Sequence, residues 1–171
     1  MVDESFFFDA WRRFDVTGPS ISELDIEAAF PESFPGKDDL LRFYLGRNGG
    51  SRTQLGGTVY RGNPAHKESS GHLGNAMVEG FFSITRSPGE RVPGLRSMVG
   101  YHASRLKTFS GDPSMTAFLQ AHKPIAFDDS GNDFWIDLRT GNICFMDWRR
   151  YREGPTHSAS SFREFVAEFW M

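Results

Sequence analysis

The sequence predicts an α+β domain, a twisted antiparallel sheet with helices packed over one face of it. Three observations carry that reading. Segments rich in β-branched and aromatic residues gather between Lys123 and Trp148, separated by turn residues. Segments of helical period lie before and after that block and do not alternate with it, which sets α+β apart from a parallel α/β fold. The chain has 171 residues, and a domain runs to roughly 100–200 residues, so residues 1–171 read as a single domain.

The elements follow in order. Residues 1–19 form an aromatic extension in which Phe7, Ala10, Trp11 and Phe14 recur at helical spacing. Ser20 and Glu23 fit a capping box, so a helix is expected over 21–29, followed by a Pro31–Pro35 turn. Leu40 with Tyr44 and Leu41 with Leu45 stand four apart, marking a second helix with Asp38 and Asp39 in its first turn. Asn48-Gly49-Gly50 is expected to stop that helix, because glycine accepts the left-handed cap conformation. Residues 51–76 are a long polar loop with one short strand at Thr58-Val59-Tyr60, and residues 77–84 read as a strand. A longer helix follows Pro93-Gly94, its face traced by Leu95, Met98, Val99, His102, Leu106 and Phe109. Asp112-Pro113 caps a short helix through Met115, Phe118 and Leu119.

The last third is a meander. Strands at 123–127, 134–138 and 143–148 are separated by Asp128-Asp129-Ser130-Gly131-Asn132 and by Arg139-Thr140-Gly141-Asn142. Side chains alternate across a sheet. Phe134, Ile136 and Leu138 therefore share one face, with Trp135 and Asp137 on the other; Ile143, Phe145 and Asp147 oppose Cys144, Met146 and Trp148. Ser161 and Glu164 form a second capping box, opening a helix with the stripe Phe162, Phe165, Val166 and Phe169.

Composition narrows the function. The formal net charge is -3, which argues against a general phosphate-backbone binder and leaves room for a basic protein partner. One cysteine, Cys144, precludes an internal disulfide or a thiolate-rich metal site, and mid-strand it reads as a small core residue. No apolar run reaches the roughly 20 residues of a membrane span, so a soluble cytoplasmic protein without cofactor or metal is expected. The run Asp128–Asp133 superficially resembles a calcium loop but lacks the distal glutamate, and a hairpin turn explains it. The five histidines, His66, His72, His102, His122 and His157, show no helical ligand pair, and His102 reads as a packed histidine. Asp137 and Asp147 lie on neighbouring strands and could flank a substrate, though surface placement explains them as simply. Acidic and aromatic residues also occur together: Asp128, Asp129, Asp133, Asp137 and Asp147 accompany Trp135, Trp148 and Tyr151. Exposed aromatics beside charges are what a protein partner selects, and packing under a helix is the plainer alternative for the tryptophans.

Taken together, the helix Ile21 to Phe30, Phe34-Pro35, the run 40–50 ending in Asn48-Gly49-Gly50, the strand 80–84, the hairpin 125–137, the strand 142–148 and Ser161-Phe162-Arg163-Glu164-Phe165 resemble, in that order, the SMI1/KNR4 family, or SUKH superfamily. The likeness spans about residues 20–170. It implies the same α+β fold and a role as a bacterial immunity protein. Such a protein binds and neutralises a cognate toxin of a polymorphic or contact-dependent secretion system, and the family has no common catalytic residues. The expected partner is a toxin effector domain, for instance a basic nuclease or another nucleotide-processing toxin. The candidate contacts are Asp128, Asp129, Asp137, Asp147, Trp148 and Tyr151, with Arg52, Tyr60 and Arg61 from the long loop. The alternatives are a small hydrolase using histidines and aspartates, and a regulatory protein-binding scaffold.

Overall fold

A computed structural model describes residues 7, 11, 12, 14, 16–51, 58–60, 76–87, 89–91 and 94–170. Arg52, Arg61, His66, His72 and most of the 51–76 loop lie outside the described residues.

Helix α1 spans Glu23–Ala29 and is capped by Ser22, whose hydroxyl accepts from the Asp25 amide at 3.2 Å while Asp25 accepts from the Ser22 amide at 2.9 Å. The capping box thus falls two residues later than Ser20 and Glu23 suggested. The cause is upstream. The Gly18 amide donates to the Asn48 carbonyl and the Asn48 side chain donates to the Pro19 carbonyl, so the chain is held against another segment before it can coil. Helix α2, Lys37–Gly46, buries Leu40, Phe43 and Tyr44. It ends at an extended Arg47 with φ -158° and not at a left-handed glycine. Gly49 does have φ +69°, but beyond the helix, where a Cβ would stand 2.8 Å from the Phe82 carbonyl oxygen. The glycine serves close approach of two backbones.

The main sheet has six antiparallel strands in the order β1 (Gly50–Ser51), β4 (Gly80–Phe81), β5 (His122–Phe127), β6 (Asp133–Asp137), β7 (Ile143–Met146) and β8 (Thr156–Ala159). A smaller sheet pairs β2 (Thr58–Tyr60) with β3 (Ala76–Val78) and with β9 (Phe169–Trp170). The strand expected over 77–84 is therefore divided at Glu79 between two sheets. Phe169 belongs to β9 and not to the closing helix, α5 (Phe162–Ala167), which buries Phe162, Phe165 and Val166.

The alternation read from the sequence sorts the core correctly. Phe134, Ile136, Leu138, Ile143 and Phe145 join one cluster with Ile26, Leu40, Phe43, Phe162 and Phe165. Trp135, Met146, Cys144 and Trp148 join a second with Met115, Leu119, Phe109 and Phe118. Helices accordingly cover both faces, not one: α1, α2 and α5 on the first, α3 (Met98–Thr108) and α4 (Pro113–Ala121) on the second. Two central strands apolar on both faces require this, since an uncovered Trp135 and Met146 would leave a large apolar area in water. The N-terminal aromatics are core, not an appendage. Phe7 and Phe14 are buried, and Phe14 meets the Phe81 ring edge-on at 5.5 Å.

Candidate functional site

The hairpin between β5 and β6 turns on Asp128. Its carboxylate accepts from the Asn132 amide at 2.6 Å and from the Asn132 side chain at 2.8 Å, and burial pushes its pKa above the usual carboxylate value. Asn132 in turn accepts from the Trp148 amide at 3.2 Å. The turn at the start of β6 is thus joined to the end of β7, and Trp148 is placed where the two meet.

Asp133 completes the mounting. It is fully buried; its Oδ2 accepts from the Tyr101 hydroxyl and from the Trp148 indole N–H, each at 2.5 Å. Burial pushes its pKa up to about 6, against the opposing pull of those donors and of Arg105 and Arg96. Arg105, from α3, donates through Nε to the Tyr101 hydroxyl at 2.7 Å and lays its guanidinium 3.9 Å from the centre of the Trp148 ring. Phe109 stacks on Trp148 at 5.4 Å and also meets Tyr151 at 5.1 Å.

Beyond Trp148 the chain forms an arm through a short 3-10 helix, Tyr151–Glu153, before entering β8. Asp147 accepts from the Arg149 amide at 2.9 Å, and Arg150 grips Glu153 with two donors. Arg149, Arg150 and Arg152 are all exposed. A groove lies on either side of the arm. One, of about 280 Å³, is lined by Phe145, Asp147, Arg150, Glu153, Thr156 and His157. The other, of about 400 Å³, is lined by Asp112, Met115, Phe118, Tyr151, Arg152 and Pro155. We call the arm, with Phe109 and Trp148 at its base, the arginine–aromatic rim.

Only part of the expected contact set meets here. Asp147, Trp148 and Tyr151 belong to the rim, and Asp129 stands exposed on the adjoining turn. Asp128 does not present its carboxylate, because Asn132 holds it inside. Asp137 lies at the far end of β6: Asp133 pairs with Met146 and Ile136 with Ile143, so Asp137 and Asp147 are separated by about five residues of strand, roughly 16 Å. They do not flank a common substrate, and the four aspartates form no single acidic face. Tyr60 belongs to β2 in the other sheet. The residues the sequence reading passed over are Arg149, Arg150 and Arg152, which are adjacent in the chain to Trp148 and Tyr151, and Arg105, which is brought in by the fold; Asp133 is read from the sequence as one of the meander's acidic residues, but the fold buries it beneath Trp148.

Three further titratable groups are taken up by the packing of the fold, while His157 lines the groove beside the arm. His102 is buried with Nε2 2.6 Å from the Leu119 carbonyl, and His122 Nδ1 lies 2.8 Å from that of Phe118; burial lowers the pKa of both. Burial pushes the Cys144 thiol up to about 12, so it stays protonated near neutrality. Among the described residues, no three His, Cys, Asp or Glu side chains are grouped to hold a metal ion, and no helix is long and apolar enough to cross a membrane.

No family model, curated protein or solved structure matches this chain.

Proposed function

We propose that the chain is a non-catalytic immunity protein that binds and neutralises a cognate toxin effector domain in the cytoplasm, and that the arginine–aromatic rim is the surface that meets it. The observation that carries this is the rim itself. Arginine, tyrosine and tryptophan are the residue types that dominate binding energy at protein interfaces, and three exposed arginines stand here beside a half-buried Trp148 and Tyr151. Trp148 is fixed by the Asp133 and Arg105 contacts, so little side-chain freedom is lost when a partner covers it. The ordered resemblance to the SMI1/KNR4 family supports the same reading.

The test is to read the genes beside this chain's own and to co-express it in a sensitive host with the C-terminal domain of a secreted protein encoded there; the absence of any such neighbour counts against the proposal. Restored growth and a stoichiometric complex on gel filtration are expected. Unrestored growth with no complex overturns the proposal, as does turnover of a small substrate that is abolished by changing one histidine or aspartate.

A further inference from the structure

We infer that the rim recognises an acidic peptide segment carrying an apolar side chain: the carboxylates bind Arg149 and Arg152 while the apolar group enters the groove between α4 and the arm. The inference rests on the reading of the rim as the docking surface and adds the chemistry of what docks.

The rim sets exposed cations, Lys107, Arg149 and Arg152, among carboxylates that backbone or side-chain donors already engage. The formal net charge of the whole is -3, yet the carboxylates near the rim already have partners. Asp112 accepts from the Met115 amide at 3.0 Å as the cap of α4. Asp147 takes the Arg149 amide, and Glu153 takes Arg150. Asp133 is buried beneath Trp148. The cations are less engaged. Arg152 reaches the Tyr151 hydroxyl at 3.3 Å, and Lys107 and Arg149 are exposed. A guanidinium offers a planar fork that matches a carboxylate with two parallel hydrogen bonds.

The groove supplies the other half. Met115, Phe118, Tyr151 and Pro155 give it an apolar lining, and Arg152 stands at its edge. An aromatic or aliphatic side chain seated there places a flanking carboxylate within reach of that guanidinium. A phosphate backbone suits the rim less well. Asp112 lines this groove and Asp147 and Glu153 the neighbouring one, so a polyanion with no apolar group to seat there has nothing to offset their repulsion.

The test uses the full chain labelled with nitrogen-15 and an acetylated, amidated peptide of two glutamates, a phenylalanine and two glutamates. A matched peptide with lysines for the glutamates and a short oligothymidylate serve as competing probes. The glutamate peptide is expected to give saturable shifts of the Trp148 indole and of the Tyr151 and Arg152 amides, lost in the exposed double variant Arg149→Glu/Arg152→Glu. The lysine peptide is expected to give none. No saturable shift with the glutamate peptide, equal shifts with the lysine peptide, or stronger shifts with oligothymidylate overturns the inference. The immunity reading is judged apart from this. If Arg149→Glu/Arg152→Glu neutralises the effector as fully as the parent, the acidic segment and the rim as docking surface are wrong and the immunity role itself stands. If the peptide binds at the rim but the effector is not neutralised, the reading falls and the acidic specificity stands.

Discussion

Trp148 is tethered to Asp133: the indole N–H donates to Oδ2 of a carboxylate that has no exposed surface. Its other oxygen, Oδ1, is buried with no hydrogen-bond partner among the described residues. An ionised carboxylate in that position is costly, which is why burial lifts its pKa to about 6. The rim's aromatic base is therefore coupled to a group that titrates near neutrality.

The first prediction concerns pH. In the unfolded chain Asp133 titrates near 3.9, so between about pH 4 and 6 the folded state holds more protons than the unfolded one. Its stability contribution is then complete below the unfolded value and is lost as pH rises through the folded one. The loss amounts to about 3 kcal/mol at most, at 1.36 kcal/mol per pKa unit. His102 and His122, lowered by burial, act oppositely, contributing above about 6.5 and losing that contribution as pH falls. Asp133→Asn removes the carboxylate and keeps its shape. Denaturant unfolding from pH 4 to 8 should show the parent losing stability relative to Asp133→Asn across the 4–6 window. A constant difference would mean that Asp133 does not titrate there.

The second prediction concerns the shared aromatic core. Phe81 is fully buried, 4.6 Å from the Phe43 ring and 5.5 Å from that of Phe14, with Phe162 and Phe165 also in ring contact. It joins the N-terminal aromatics, α2, α5 and the sheet. Phe81→Ala should cost about 3–5 kcal/mol, read by urea unfolding. A loss below about 1 kcal/mol would show that the neighbouring rings close the cavity.

How much of this was legible in the sequence depends on the range of the interactions. The inward and outward faces of β6 and β7 follow from period two, and Phe134, Ile136 and Trp135 lie where alternation puts them. Asp112 caps α4 as its neighbour Pro113 suggested, because caps are local. The failures are tertiary. The start of α1 shifted because Asn48 holds Pro19; the 77–84 strand was divided because two different sheets offered partners to its halves. At the rim, Trp148-Arg149-Arg150-Tyr151-Arg152 was visible as a string. Aspartates were easy to count as surface charge, but which of them turn inward depends on partners such as Tyr101, supplied by a helix far up the chain.

The third prediction tests a contact between two turns. Gly141, in the β6–β7 turn, has φ +74°, and a Cβ there would stand 2.1 Å from the Pro35 carbonyl oxygen. Both the backbone conformation and the space oppose a side chain. Gly141→Ala should therefore destabilise by more than the roughly 1 kcal/mol of a left-handed alanine alone. Gly131, with φ +86° and nothing near its would-be Cβ, is the control. Equal losses in Gly131→Ala and Gly141→Ala, measured by thermal unfolding, would show that the Pro35 turn yields freely.

Asn48 carries the last prediction. Its Oδ1 accepts from the Ile84 amide at 2.7 Å, and its Nδ2 donates to the Ile84 carbonyl at 2.9 Å and to the Pro19 carbonyl at 3.1 Å. The side chain thus pairs with one residue's backbone as a strand would, and it joins the segment before α1 to the one after β4. Asn48→Ala leaves the buried Ile84 groups without partners and should cost about 3 kcal/mol or more, at roughly 1–3 kcal/mol per unsatisfied group. Asn48→Asp keeps the acceptor for the Ile84 amide but sets a carboxylate oxygen against two carbonyls. It should be at least as damaging at pH 7 and recover partly in acid, where a protonated oxygen can donate again. If the aspartate variant unfolds like the parent at pH 7, the two donor bonds contribute nothing, and the order of damage among the variants separates acceptor from donor.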